Sequence, residues 1–268
     1  MNGKKEVKLV NKINCLLRKA NAPRFLHKYG PKKYELYLHM LALFIKQACK
    51  LSFRRASKLL RSLGFDVPSY SALCKMRKRM PFYLWKLLFS LTIPSNIIKV
   101  AAIDSTTLSR ANPSLHYIHR IDRKNIIRCP VKLSSVIETR RKKILSLRIR
   151  SKNSHDVKDF KYLLNRIPNK ILKLVGDTAY DSEKIHKYCY DNDIITIIKP
   201  RKNVKRGFYR KKMKKYYDEA TYHRRSMIES YHTAYKYKYG SSLLGRTIDT
   251  QRAEVYCNAI LYNLNLVY

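Results

Sequence analysis

Residues 97–106 read Ile97-Ile98-Lys99-Val100-Ala101-Ala102-Ile103-Asp104-Ser105-Thr106, an apolar run that stops at an acid. The part before it, to about Phe89, reads as helical, and from residue 97 the pattern changes to strands. The run predicts a buried strand over Ile97–Ile103 with Asp104 at its C-terminal end. A second run of the same kind, Ile171–Gly176, stops at Asp177 and is followed by Thr178-Ala179-Tyr180. C-terminal strand ends line the functional crevice of an open α/β sheet, so two aspartates at two such ends can meet there. Taken singly, each is better read as a turn or helix-cap aspartate. The pair gives the chain its direction.

Working outward, Val131–Glu138 and Lys143–Arg150 are rich in β-branched residues and flank a basic turn, a hairpin pattern. Asp156–Ile167 reads as a helix with Ser154 as its cap, Ser182–Asp191 as another, and Ile194–Ile198 as a strand closed by Lys199-Pro200. Residues 201–217 read as a basic loop, Thr221–Tyr239 as a long helix and Asp249–Leu266 as a last one. The order β-β-β-α-β-α-β-α predicts an α/β domain over 97–268 with a central mixed sheet flanked by helices. It is the order of the ribonuclease-H-like fold.

Residues 1–90 read as a separate helical, basic region. Lys33–Lys50 and Ser52–Leu63 are amphipathic, and Gly64 ends the second. Pro68-Ser69 opens a third run, Ser69–Met80, with Ser69 as its N-cap. Short basic helices joined by a turn suggest a helix-turn-helix, with Lys75, Arg77 and Arg79 as candidate contacts to DNA ends. A small bundle with a solvated basic face is the alternative.

The balance of 58 Lys and Arg against 18 Asp and Glu gives a formal net charge of +40. An excess of this size calls for a polyanionic partner, and nucleic acid is the first expectation. With hydrophobic residues at 45%, wholesale disorder is excluded. The chain lacks an apolar run long enough to span a membrane, and the basic N-terminus is not followed by a signal-peptide pattern. Six scattered cysteines without a CxxC pair argue against a zinc site of usual spacing and for reduced, mostly buried thiols in a cytoplasmic protein.

A third acid belongs with the two aspartates. On a continuous helix at about 100° per residue, Tyr222, Arg225, Glu229 and Lys236 share a stripe roughly 60° wide. Met227, Ile228, Tyr231, Ala234 and Tyr235 fall on the opposite side. Periodicity alone leaves open a solvated face with an incidental i,i+4 pair between Arg225 and Glu229.

The spacing Tyr222-x2-Arg225-x3-Glu229-x6-Lys236 resembles the Tyr-Arg-Glu-Lys signature of the DDE transposases of bacterial and archaeal insertion sequences. Asp104 in Ile103-Asp104-Ser105-Thr106 and Asp177 in Gly176-Asp177-Thr178-Ala179-Tyr180-Asp181 look like that family's two catalytic aspartates. Ser154-His155-Asp156 and Lys199-Pro200-Arg201-Lys202-Asn203 resemble family segments in their expected places. The similarity spans about residues 97–265, with the helical part matching loosely. It implies a DNA transposase whose catalytic and metal-binding residues are Asp104, Asp177 and Glu229, using Mg2+, with Mn2+ as a substitute. Tyr222, Arg225, Lys236 and Arg201 would contact DNA. The partners would be double-stranded DNA at transposon ends and target, with a homodimer assembled on DNA, in the cytoplasm at the nucleoid.

That implication agrees with elementary chemistry. Phosphodiester cleavage needs charge stabilisation on both attacking and leaving oxygens, which two metals about 4 Å apart can supply. Magnesium prefers a few carboxylates together with substrate oxygens and water. Two departures narrow the analogy. The interval from Asp177 to Glu229 is too short for the large β-rich insertion of some relatives. The one tryptophan, Trp85, lies in the helical region, so the base-holding tryptophan of other relatives has no counterpart near the acids.

Other residues invite readings of lower weight. His116 and His119 form an HxxH, without a cysteine pair to complete a metal site. Ser105 and Thr106 lack an organised His-acid partner for nucleophilic catalysis. Lys214-Lys215-Tyr216-Tyr217 and Lys236-Tyr237-Lys238-Tyr239 alternate bases with aromatics, a pattern suited to single-strand stacking or to a tyrosine core. The rival functions are another ribonuclease-H-like nuclease and a non-enzymatic basic nucleic-acid-binding protein.

Overall fold

The computed structural model describes residues 3–26, 29, 32–111, 116, 120, 129–152, 154–201 and 206–264. Its helices are α1 (Gly3–Lys19), α2 (Leu36–Ala48), α3 (Phe53–Ser62), α4 (Tyr70–Arg79), α5 (Phe82–Ser90), α6 (Val157–Leu164), α7 (Glu183–Asp191), α8 (Phe208–Lys214), α9 (Glu219–Tyr222), α10 (Ser226–Tyr239) and α11 (Ile248–Leu264). The strands used below are β1 (Ile98–Arg110), β2 (Val131–Glu138), β3 (Ile144–Arg150), β4 (Ile171–Gly176) and β5 (Ile195–Ile198). By internal contacts the chain divides into two compact units, residues 94–237 and residues 1–93 with 238–268. The sequence reading grouped 238–268 with the sheet; the contacts of α11 run to α5, α2 and α4.

In the first of these units the strand order is β3-β2-β1-β4-β5. The β1–β2 and β2–β3 pairs are antiparallel, and β1–β4 and β4–β5 are parallel. This is the mixed, ribonuclease-H-like sheet that the element order predicts. Burial explains the strand composition: every residue of β2 is buried, as are Leu174, Val175, Ile197 and Ile198 at the parallel end. Phe160 and Leu163 of α6 and Ile185 of α7 are buried with them.

One boundary differs in a way that matters. The strand predicted to stop at Asp104 continues to Arg110. The antiparallel partner β2 carries it on, pairing as far as Leu108 with Val131. Its parallel neighbour β4 does stop, at Gly176, opposite Ile103. Asp104 is therefore interior to its own strand but stands where the parallel half of the sheet ends.

Three further expectations change. Ser154 does not cap α6; Asp156 occupies the N-cap position, without a capping bond from its side chain. The basic loop over 201–217 contains α8, which Gly207 leads into at φ 113°. Lys202 and Asn203 lie outside the described residues. The long helix from Thr221 is broken, with α9 and a 3-10 turn (His223–Arg225) preceding α10. Arg225 thus belongs to the tighter 3-10 turn and Tyr222 to the short α9 before it, and the helical wheel holds only from Ser226 onward.

In the second unit, Ser52 and Ser69 cap α3 and α4 by accepting from Arg55 N and Ala72 N at 3.2 and 3.4 Å. Gly64, at φ 84°, ends α3 in the left-handed region where a side chain is disfavoured. Leu36, Met40 and Phe44 of α2, Leu60 of α3, Leu73 of α4 and Trp85 of α5 form a core with Val255, Ala259 and Ile260 of α11. Gln47 bridges α2 to α11 through a 2.6 Å bond to Asn258. All six cysteines are free; Cys15, Cys49 and Cys129 are exposed, contrary to the expectation of mostly buried thiols. Among the described residues, no helix is long and apolar enough to cross a membrane.

Candidate active site

The β1–β4 register builds the site. Ile103 faces Gly176 across the parallel pair, so Asp104 and Asp177 are next neighbours where the parallel pairing ends. Gly176 permits the close approach: a Cβ there would lie 3.1 Å from Ile103 Cγ2 and 3.4 Å from Tyr180 Cδ2. Asp177 then caps a 3-10 turn over Thr178–Tyr180, its Oδ1 accepting from Thr178 N at 2.6 Å. Asp181 ends that turn, its amide donating to Thr178 O.

Asp104 is an unfavourable place for a charge. Burial pushes its carboxyl up to about 6; the Ser105 amide and Arg225 oppose the rise, and the nearby carboxylates Asp156 and Asp177 add to it. Asp156 is itself tethered. It accepts from the Ser105 hydroxyl and pairs with Lys132, a lysine only 3% exposed. Ser105 is thus committed to a carboxylate, which removes the nucleophile reading for it.

Helix α10 supplies the remaining groups. Ile228, Tyr231 and Tyr235 are buried, as the apolar side of the helix requires. Glu229 and Arg225 form an i,i+4 ion pair at 2.8 Å, with Glu229's side chain about half exposed. Lys236, two turns on, is half-buried. Tyr222, before the helix, packs its ring 5.7 Å from that of Tyr217 and 6.0 Å from the Arg225 guanidinium. Arg225 is the connector, since Glu229, Asp177 and Asp104 all act on it electrostatically.

The sequence reading missed His232. Its Nδ1 is 3.8 Å from Asp104 Oδ2 and its Nε2 lies 3.0 Å from Ser135 Oγ. Burial, with the Lys236 charge, lowers its pKa to about 4, so the ring is neutral at physiological pH. A signal existed, because His232 follows Glu229 by three residues and so shares its helix face. Asp156 is legible in the sequence as part of a family-like segment beside His155, but its partner Lys132 is not, because nothing in strand periodicity says that a buried lysine points at it.

The structure therefore brings together Asp104, Asp177, Arg225, Asp156 and His232, with Glu229 held by Arg225. Among the described residues, no three His, Cys, Asp or Glu side chains converge as a ready cation cage. Arg201 reaches the same strand end, its Nε lying 3.4 Å from Thr178 O. Lys75, Arg77 and Arg79 belong to the helical unit: Lys75 and Arg79 are exposed, whereas the Arg77 guanidinium lies 5.0 Å from the Phe53 ring centre. His116 is exposed and His119 lies outside the described residues. Trp85 is buried in the helical core.

A ribonuclease-H-like sheet with acids at the end of its parallel strands defines a class of nucleic-acid-processing domains. Residues 96–264, more than half of the chain, match the family model for the transposase DDE domain, and the chain belongs to that family. No curated protein matches the sequence.

Proposed function

We propose that the protein is a DNA transposase that cuts at the ends of its element and joins them to target DNA. The observation that carries this reading is the Ile103–Gly176 register, which makes Asp104 and Asp177 neighbours where the parallel strands end. Asp104, Asp177 and Glu229 are the catalytic carboxylates and hold Mg2+, for which Mn2+ substitutes.

The donor set fits a divalent cation. All three candidates are hard oxygen ligands, few enough to leave room for substrate oxygens. The buried Asp104 carboxyl, raised by its surroundings, is a group whose ionised form a cation would favour. Glu229 must leave Arg225 to join it. An ion pair this exposed is worth roughly 1 kcal/mol or less, so the exchange costs little. When bound, the cation supplies charge stabilisation to the attacking and leaving oxygens.

The chain's own residues do the rest. Arg225, once released, and Lys236 place positive charge where a phosphate must lie against the carboxylates. Tyr222 and Arg201 flank the same path. His232, neutral and anchored on Ser135, stands 3.8 Å from the Asp104 carboxylate and adds no charge to it. The reaction is displacement at phosphorus, first by water at the element end and then by the freed 3′-hydroxyl on target DNA. It has no covalent protein–DNA intermediate. Double-stranded DNA is the partner, a homodimer forms on it, and the nucleoid is the place of action. Lys75 and Arg79 of the helical unit serve end binding, and Arg77, turned over Phe53, supports the helix that carries them.

The test is cleavage and joining of a labelled element-end duplex in Mg2+, Mn2+ or chelator, for wild type and for Asp104→Asn, Asp177→Asn and Glu229→Gln. Each substitution abolishes cutting and joining together. Full cleavage by Glu229→Gln, or undiminished activity in chelator, overturns the three-carboxylate reading. Cutting without joining points to another nuclease of the same fold.

A further inference from the structure

Beyond the carboxylates, the turn that follows Asp177 forms the wall of a second, strongly basic recess of about 80 Å3. Asp181 lines it, with Arg201, Arg206, Arg210, Lys211 and Lys214 around it. Asp181 is 4% exposed, and its carboxylate is fully engaged. It accepts from Arg201 N, from His186 Nε2 and from Arg210 Nε, each at 3.0 Å. Burial alone would raise its pKa, but these hydrogen bonds and the Arg210 charge hold it below the usual carboxylate range.

The cations are placed by construction. Glu183 accepts from the backbone amides of Tyr209 and Arg210 at 2.9 and 3.1 Å, fixing the start of α8. Gly207 makes room for that carboxylate, since a Cβ there would lie 2.4 Å from Glu183 Oε2. Arg210 donates to both the carboxylate and the backbone carbonyl of Asp181. With α8 pinned at two acids, Lys211 and Lys214, three residues apart, lie on one face of it. Arg206, Lys211 and Lys214 are exposed and have no acidic partner among the described residues. The acids of the recess are consumed by Arg210, by His186 and by backbone amides, so these three charges remain uncompensated.

We propose that this recess is a phosphate subsite for duplex DNA, separate from the carboxylate site, in which Arg206, Lys211 and Lys214 grip backbone phosphates flanking the cut. Its position follows from the shared turn: Arg201 touches both Asp181 and Thr178, and Thr178 adjoins Asp177. The identity of the DNA rests on the transposase reading; the phosphate contacts do not. The room suits an entering phosphate group with its waters.

The experiment measures binding of the full-length protein to a labelled duplex in chelator, where cleavage is off, across a salt series. Each phosphate contact contributes about 0.9 to the slope of log affinity against log salt. The combined variant Arg206→Ala, Lys211→Ala and Lys214→Ala should lower that slope by about 2 to 3. A control removing Lys99, Arg140 and Lys170, exposed at the opposite end of the sheet, should lower it by less than about 1. A scan of single methylphosphonate substitutions localises the contact. Wild type loses affinity at two or three positions beside the cleavage point, and the triple variant loses nothing further there. An equal slope for triple variant and wild type, or equal effects of triple and control, overturns the subsite. If the triple variant proves unstable, the single variant Lys211→Ala tests the same contact: a slope change of about 1 supports the subsite and an unchanged slope overturns it. Failure of metal-dependent cleavage by wild type would overturn the transposase reading and leave this result standing.

Discussion

Gly176 lies directly opposite Ile103, and the gap between them is too small for a Cβ without movement, at 3.1 Å from Ile103 Cγ2. The aspartates that follow these two residues inherit that spacing. Gly176→Val should therefore do two things. Overpacking should cost roughly 1–3 kcal/mol of stability. Metal-dependent nicking, measured well below the melting point, should fall at least tenfold, because Asp177 shifts relative to Asp104. A valine variant with wild-type melting and nicking would show that the close approach does not set the site.

Asp104 makes a trade between stability and function. Its folded carboxyl, raised to about 6 from an ordinary 3.8, binds a proton more readily than the unfolded one. Over the window from about pH 4 to about pH 6 the folded state thus holds the extra proton, and stability contributed by this group declines as pH rises. Above about 6 the loss is complete. Asp104→Asn should raise the melting temperature of the metal-free protein by a few degrees near pH 7.5 and hardly at all near pH 4. Added Mg2+ or Mn2+ should stabilise wild type and not the variant. Thermal scans at both pH values, with and without metal, check each part; equal responses to metal would sink the assignment of Asp104 as a ligand.

How far the sequence carried the reading follows from what each signal measures. Apolar and β-branched runs with turn residues located β2, β4 and β5 closely, because those strands are buried and end at punctuating residues. The overrun of β1 past Asp104 was illegible: the continuation Ser105-Thr106-Thr107 is polar, and only its pairing with β2 makes it strand. Wheel geometry assumed one helix from Thr221. It still placed Arg225 against Glu229, since the 3-10 turn runs directly into α10. His232 and Lys132 escaped because each acts through a residue on a different element, Ser135 or Asp156. Long-range pairs of this kind leave no local periodicity.

Arg225 has two claims on it. It pairs with Glu229 at 2.8 Å, and it faces the Asp104–Asp177 charge. Removing it as Arg225→Ala frees Glu229 but leaves the acids less compensated. Metal affinity in the absence of DNA should then tighten by up to about fivefold, the equivalent of the roughly 1 kcal/mol that the exposed pair is worth. DNA affinity should weaken, and cleavage should slow. Isothermal titration with Mn2+ and a parallel DNA-binding series separate the two effects. Weaker metal binding in Arg225→Ala would mean that the guanidinium orients Glu229 for the metal instead of competing with it.

The basic residues of α4 should separate by role. Lys75 and Arg79 are exposed and line, with Lys33, a recess of about 210 Å3 in the helical unit. Arg77 instead turns inward over Phe53 and lies near Lys46, a lysine 4% exposed whose amine is held below its ordinary pKa by burial. Near two such cations Glu254 is occupied elsewhere, accepting from the Leu244 and Gly245 amides. Replacing Lys75 and Arg79 by alanine should cost discrimination between element-end and unrelated duplexes while leaving melting within about 0.5 kcal/mol of wild type. Arg77→Ala should lower stability by about 1 kcal/mol through lost stacking over Phe53. It should change the salt slope of binding by less than the double variant does. Competition binding on both duplexes, paired with denaturant melts, decides between these outcomes. Loss of end discrimination from Arg77→Ala at unchanged stability would reverse the assignment and make Arg77 the DNA contact.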